Sequence, residues 1–228
     1  REMRYDFFMK VARRFRGSGV VFAHTRNDQA ETVLMRVLQG TGLRGLQGIR
    51  EISRVNGIPF IRPFLPSTKR ELLRFLCEGK FPYCKDETNG SLRFIRNRIR
   101  LKLIPQLERD FNPRVVEALA RIPAIAAVES SLVEELESKA WEKGLRKLSA
   151  RAVELKRAFF LQCHPAVQYR LLERALKALD PQSGLSFEAW ERLRCGLKKI
   201  RHRVSLPRDI DFEVTPGKVT VYKKYPAV

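Results

Sequence analysis

The stretch from Gly19 to Leu38 sets the tightest limit on what this chain can fold into. An apolar run, Gly19 to Phe22, reads as a buried strand. It gives way to a polar block, Ala23-His24-Thr25-Arg26-Asn27-Asp28-Gln29-Ala30-Glu31-Thr32. Val33, Leu34, Val37 and Leu38 then recur at the spacing of one side of a helix. A polar junction where a strand ends and a helix begins is the ligand-binding corner of open α/β folds. Asp28 and Glu31 are three residues apart, so a helix puts both carboxylates on one face. Placed there, they suit an ammonium group, a metal or another cation. The same Asp-x-x-Glu before an apolar run is also a capping-box-like pattern, with Asp28 accepting from a first-turn amide and Glu31 reaching back. The residues alone leave both readings open. His24, at a strand end, reads by itself as a hydrogen-bonded structural residue.

Charge narrows the partners. Forty-five Lys and Arg stand against 25 Asp and Glu, a formal charge of +20, which predicts a polyanion partner, most simply nucleic acid. An anionic membrane surface would call for a basic amphipathic helix with an aromatic apolar face, and none stands out. No apolar run approaches the ~18 residues that span a bilayer. Arg1-Glu2-Met3-Arg4 lacks a signal-peptide core, so the expectation is a cytoplasmic protein without a membrane partner. Cys77, Cys84, Cys163 and Cys195 form no C-x-x-C pair and no zinc spacing, and read as free thiols. No metal ligands are expected among them. With 228 residues, 44% of them hydrophobic, the chain has material for one large or two small cores.

Taken in order, Glu2 to Phe15 reads as a helix with Tyr5, Phe8, Met9, Val11 and Ala12 on its apolar side. A strand over Val20 to Ala23 and a helix from about Asp28 to Gln39 follow. Gly40, Gly42, Gly45 and Gly48 then predict a tightly turned loop, Gly40 also suiting a helix C-cap. Asn56-Gly57 between Glu51–Val55 and Ile58–Arg62 is a hairpin signal. Thr68 caps a helix to about Glu78, stopped by Gly79, with Leu72, Leu73, Phe75 and Leu76 mostly inward. Asp86 and Asn89 in the next loop suit Asx-turns.

Arg93 to Lys102 is the second chemical centre. Leu92, Ile95, Ile99 and Leu103 make an apolar seam, and Arg93, Arg96 and Arg100 share a flanking helical face. Guanidiniums on one face suit phosphates, because each offers a planar fork of donors. A solvated charged face is the alternative. Pro105 ends or kinks this helix, Asn112-Pro113 starts another, and Pro123 interrupts it. Ile125 to about Leu148 reads as a long helical linker. Helices near Val167–Leu179 and Ser186–Lys199 precede a small meander: Arg203–Leu206, Ile210–Val214 and Lys218–Tyr222. Arg192, Arg194, Lys198, Lys199, Arg201 and Arg203 form a second basic cluster there.

The block from His24 to Thr32 resembles the H-x-x-D-D-Q-x-E-T segment of the tRNA(Ile)-lysidine synthetases, members of the PP-loop ATP-pyrophosphatase group. Asn27 stands where that segment has its first aspartate. Gly40-Thr41-Gly42-Leu43-Arg44-Gly45-Leu46, Arg62-Pro63 and Arg96-Asn97-Arg98-Ile99-Arg100 continue the likeness, which is densest from Arg1 to Leu107. It implies an α/β protein: part of an adenine nucleotide alpha hydrolase-like parallel-sheet domain (1–104), a helical linker (105–148) and a small α+β tRNA-binding domain (149–228).

The resemblance also implies a reaction: ATP-dependent attachment of free L-lysine to C2 of the wobble cytidine of tRNA(Ile), through an adenylated intermediate. Asp28 and Glu31 would hold lysine, and Arg96, with Arg1 and Arg4, would lie at the reacting centre. His24 would shape the nucleotide pocket, and the glycine segment would lie near the substrate mouth. Asp86 and Asn89 match the family's D-x-x-N turn. Arg93, Arg100 and the second basic cluster would contact tRNA. ATP and Mg2+ are the implied cofactors, and a homodimer is compatible with the reading. The family's S-G-G-x-D-S phosphate loop has no match in these residues, so the expectation is a fragment incomplete for catalysis. Two rivals remain: a non-catalytic tRNA-binding module, and another PP-loop tRNA modifier such as a thiolase, which commonly places cysteine pairs.

Overall fold

A computed structural model describes residues 2–15, 17–84, 90–197, 199 and 201–224, apart from the side chains of Glu2 and Arg4. Arg1, the Arg4 side chain, Asp86, Asn89 and Lys198 therefore lie outside the described residues. The chain divides into two compact units, Arg1–Ser130 and Ser131–Val228.

In the first unit, helix α1 (Glu2–Arg14) buries Met9 and Ala12, and Val11 is exposed rather than inward. Its Tyr5 stacks on Phe60 at 5.2 Å, and Phe8 meets the edge of Phe22 at 5.2 Å. Strand β1 is only Val20–Val21 and pairs parallel with β3 (Ile58–Ile61). It is shorter than the expected strand to Ala23. Phe22 still donates to the Ile61 carbonyl at 2.8 Å, but by Arg26 the backbone has turned to bond Ser67. Strand β2 (Ile52–Val55) pairs antiparallel with β3, giving the order β1-β3-β2. The α/β expectation holds. Asn56 and Gly57 both have positive φ, 49° and 82°, as a two-residue hairpin turn that follows strand twist requires.

Helix α2 (Arg26–Leu38) follows β1 and buries Gln29, Ala30, Glu31 and Val33. The glycine segment is partly ordered into a short helix, α3 (Leu43–Leu46). Helix α4 (Lys69–Glu78) starts with a Thr68–Glu71 capping box and ends at Gly79, as expected. Phe75, expected inward, is exposed and stacks on Phe81 at 5.9 Å.

The arginine-rich helix departs most from its sequence reading. Helix α5 begins at Ile95 and runs to Arg98, so Arg93 sits in a turn before it. A π-helical segment, Ile99–Leu103, leads into α6 (Ile104–Asp110), and Pro105 lies within α6 instead of ending the helix. The Ile104 amide donates five residues back, to Ile99. That widened turn makes room for a residue that has no N–H and a bulky ring. It also shifts the seam. Ile99 and Ile104 are the buried pair, Leu103 only partly so, while Leu92 and Ile95 are exposed. Ile99 and Ile104 pack with Ala30 and with Val116 of α7 (Val115–Gly144). Pro123 is inside α7 and does not interrupt it. Its ring is buried close to Gly48, which helps offset the lost backbone bond.

The second unit is a five-stranded antiparallel sheet, ordered β4-β5-β8-β7-β6. Its members are β4 (Leu145–Leu148), β5 (Ala152–Lys156), β6 (His202–Leu206), β7 (Ile210–Val214) and β8 (Lys218–Lys223). The meander β6–β7–β8 matches the sequence reading. Leu145–Leu148 is a strand, not the end of the long helix, and β5 has no counterpart in the sequence reading. One sheet face, with Val153, Leu155, Phe212, Val219 and Val221, shares a core with helices α8 (Arg157–Gln162), α9 (Pro165–Leu179) and α10 (Phe187–Gly196). All four cysteines are free. Among the described residues, no helix is long and apolar enough to cross a membrane.

Candidate active site

The polar block sits at the carboxyl end of β1, where α2 begins. Thr25 is the N-cap of α2. Its hydroxyl accepts from the Asp28 amide, and Asp28 Oδ2 accepts from the Thr25 amide at 2.8 Å and the Thr25 hydroxyl at 2.9 Å. The capping box is thus Thr25–Asp28, one turn earlier than the Asp28–Glu31 pairing that the sequence suggested. The signal was present, since Thr-x-x-Asp before an apolar run has the same form.

Asp28 Oδ2 is occupied by the cap, and its Oδ1 faces outward from the helix. There it meets Glu31 and two guanidiniums. Arg96 donates from Nε to Glu31 Oε2 at 2.7 Å and from Nη2 to Asp28 Oδ1 at 2.9 Å. Arg100 donates from Nε to Glu31 Oε1 at 2.6 Å, and from Nη2 to Glu31 Oε2 at 2.9 Å and Asp28 Oδ1 at 3.3 Å. The Glu31 side chain is 1% exposed, against 36% for Arg96 and 26% for Arg100. A carboxylate this deeply placed needs charged hydrogen-bond partners to offset the water it has lost. The hydrogen bond to Glu31 raises the Arg100 pKa above its ordinary value; partial burial opposes this, and the charges of Glu31 and Asp28 add to it.

A cavity of about 290 Å³ opens beside the cluster, lined by Ala23, Thr25, Asn27, Asp28, Glu31, Lys69, Leu72, Leu73 and Arg100. That is the lower end of the roughly 300–1,000 Å³ usual for small-molecule sites. The rest of the polar block builds the walls. The Asn27 side-chain Oδ1 accepts from the Lys69 amide at 2.9 Å, Arg26 donates to the Pro66 backbone carbonyl, and the Thr32 hydroxyl donates to the Asp28 backbone carbonyl at 2.8 Å. Gln29 clamps the glycine segment. It accepts from the Ile49 amide at 2.7 Å and donates to the Ile49 carbonyl at 2.9 Å. Sequence reasoning assigned Gln29 and Asn27 no part, because their partners lie 20 and 42 residues away. His24 is half-buried, its ring stacked on Phe22 at 5.5 Å.

The other expected residues lie elsewhere. Arg93 is exposed and apart from the Arg96–Arg100 pair. In the second unit, Arg192, Lys199 and Arg201 are exposed. Arg194 forms a fork with Glu191 at 2.9 and 3.1 Å, and Arg203 pairs with buried Asp211. Among the described residues, no group of three His, Cys, Asp or Glu side chains gathers as a metal site.

A family profile described as the PP-loop domain matches residues 1–107, a span that contains His24, Asp28, Glu31, Arg96 and Arg100. Residues 1–107, just under half of the chain, are thus similar to a PP-loop domain. Relatives named tRNA(Ile)-lysidine synthase match the PP-loop region and beyond. The protein of Symbiobacterium thermophilum is 30% identical, over 99% of this chain and 48% of its own length. That of Thermosynechococcus vestitus is 34% identical over 85% of this chain and 55% of its own. That of Clostridium acetobutylicum is 32% identical over 77% of this chain and 37% of its own. The resemblance drawn from the motifs is borne out. The chain spans between 37% and 55% of the length of these three relatives.

Proposed function

We propose that the chain serves ATP-dependent lysidine formation on tRNA(Ile). The observation that carries the proposal is the pair Asp28 and Glu31, held at the carboxyl end of β1 beside a cavity of about 290 Å³, in a chain similar to tRNA(Ile)-lysidine synthases. In this reading the two carboxylates hold the ammonium groups of free lysine through charge-assisted hydrogen bonds. Arg96 neutralises charge at the ATP phosphates or the adenylate. His24, stacked on Phe22, shapes the nucleotide pocket. Arg93, Arg192, Arg194, Lys199, Arg201 and Arg203 bind tRNA phosphates, in keeping with the +20 charge.

ATP, the ligand that the PP-loop match implies, supplies the activation: the C2 oxygen of the cytidine takes AMP and pyrophosphate leaves. Lysine's amine then bonds to C2, the C2–O bond breaks, and AMP departs with that oxygen. For Mg2+ the described residues do not make a site, because the two carboxylates of the cluster are already bonded to arginines. No step is drawn through it.

The test supplies the protein with ATP, radiolabelled lysine and tRNA(Ile). Label is expected in tRNA(Ile), dependent on ATP, and absent with a tRNA lacking the wobble cytidine. Binding of tRNA without lysine incorporation by the full-length protein would favour a tRNA-binding module instead.

A further inference from the structure

We propose that Arg96 and Arg100 form an electrostatic lock on Asp28 and Glu31, opened when phosphate groups draw the guanidiniums away and so expose the carboxylates to lysine. The lock rests on the reading of Asp28 and Glu31 as the lysine site.

Its basis is that every carboxylate oxygen already holds at least one donor. Glu31 Oε1 holds Arg100 Nε, and Glu31 Oε2 holds both Arg96 Nε and Arg100 Nη2, at 2.6 to 2.9 Å. Asp28 Oδ1 holds both guanidiniums, and Oδ2 is taken by Thr25. An ammonium group has three donors and no acceptor, so it needs the oxygens that the arginines already occupy. Charge gives the same answer. Two carboxylates meet two guanidiniums, Arg96 and Arg100, and Lys69 also lines the cavity. The closed arrangement has its negative charge already balanced and offers an amine no net attraction.

The parts that can move are the arginines. Glu31 is fixed in the interior of α2, and Asp28 is tied by its cap. Arg96 and Arg100 reach in from the next helices with about a third and a quarter of their side chains exposed. An arriving polyphosphate offers several oxygens, and guanidinium forks bond phosphate in pairs. Each arginine that turns to phosphate frees carboxylate oxygens and removes a positive charge from the amine's path. By linkage, phosphate ligand and lysine must then strengthen each other's binding equally. The arrangement keeps lysine out until the phosphate partner is in place.

The experiment measures lysine affinity calorimetrically on the intact protein in three states: alone, with a non-hydrolysable ATP analogue, and with tRNA. One phosphate ligand should tighten lysine binding about tenfold, within the range usual for coupled sites. Which of the two does so identifies the phosphate source. In Arg100→Gln, lysine should bind more tightly without phosphate, and the phosphate effect should shrink to less than about twofold. If that variant does not fold, Arg96→Gln carries the same expectation, and the wild-type comparison stands on its own. Lysine binding of equal strength in all three states overturns the lock and leaves the lysine reading intact. So does a full phosphate effect in a folded Arg100→Gln. Lysine binding in none of the states ends both readings together.

Discussion

Two runs of basic residues, similar in sequence, meet opposite fates in this protein. The run around Arg96–Arg100 is drawn onto Glu31 and Asp28, and its guanidiniums spend their donors on carboxylates. The run from Arg192 to Arg203 stays at the surface, with Arg192, Lys199 and Arg201 exposed. Its paired members, Arg194 and Arg203, are taken by acids of their own helix or neighbouring strand. The difference lies in how much of each run meets a buried acid. Helix α2 offers one carboxylate, 1% exposed, to both Arg96 and Arg100, whereas among the described residues of the second run only Arg203 meets such a group, Asp211; a buried carboxylate holds cations far more firmly than a solvated one. An arginine-rich stretch is therefore a binding surface only when no buried acid claims it first.

Removing that acid should give the largest effect. Glu31→Gln should lower stability by about 2–3 kcal/mol, less than the roughly 3–5 of a fully buried broken pair, because Arg96 and Arg100 can reach solvent. The same variant should raise the lysine KM about ten- to hundredfold, the loss of a charge-assisted bond of roughly 1.5–3 kcal/mol, with the ATP KM little changed. Asp28→Asn should match it on lysine but barely alter stability, since an amide oxygen still accepts from Thr25. Urea unfolding beside steady-state kinetics separates the two effects. A normal lysine KM in both variants would return the pair to a purely structural role.

In the exposed run the ranking should invert. Combined Arg192→Glu, Lys199→Glu and Arg201→Glu should leave stability within about 0.5 kcal/mol of wild type. Affinity for tRNA should fall, and the salt slope should flatten by roughly 0.7–0.9 for each phosphate that the variant no longer neutralises. Filter binding at several salt concentrations checks this. An unchanged slope would make the cluster a solvated face only.

The comparison also depends on α2 being held in place under the arginines. Gly48 has φ +57°, and a Cβ there would lie 2.6 Å from Gln29 Oε1. Gly48→Ala should cost about 1–3 kcal/mol through backbone strain and a displaced clamp. Gly57→Ala, also at positive φ but facing open space, should cost only about 1 kcal/mol. Equal losses in thermal unfolding would remove the clamp from the account.

The smallest effect concerns Asp211, the acid that holds Arg203. Burial pushes its pKa up, but hydrogen bonds from Arg203, Ser205 and Lys224 outweigh that and leave it below the ordinary carboxylate value. A depressed pKa stabilises the fold above the unfolded value of about 3.9 and loses that contribution as pH falls through the folded pKa. Asp211→Asn should therefore lower thermal stability modestly at neutral pH and flatten its decline below about pH 5, so that variant and wild type converge in acid.

Short-range chemistry was legible in the sequence. The Thr68–Glu71 cap, the Asn56-Gly57 turn and the β6–β7–β8 meander depend on residues a few positions apart, and the residues state them directly. Asp28, Glu31 and Arg96 could be singled out for the same reason, as could the family. Misreadings arose where a distant partner altered a local rule. Pro123 is tolerated inside α7, beside Gly48. A π turn before Pro105 moves the buried position from Leu103 to Ile104. Strand β5 exists because β8, more than sixty residues later, pairs with it.

The sequence by itself determined most of the helices, the β2–β3 hairpin, the Thr68 cap and the presence of two acids and an arginine-rich helix, since these follow from spacing along one chain. Only the tertiary structure decided that the acids and arginines are one site. Arg96 and Arg100 lie 65 and 69 residues from Glu31, and no periodicity links groups so far apart. What joins them is the burial of Ala30 against Ile99 and Ile104, which sets α2 against the arginine-bearing helix and places unlike charges within hydrogen-bond reach.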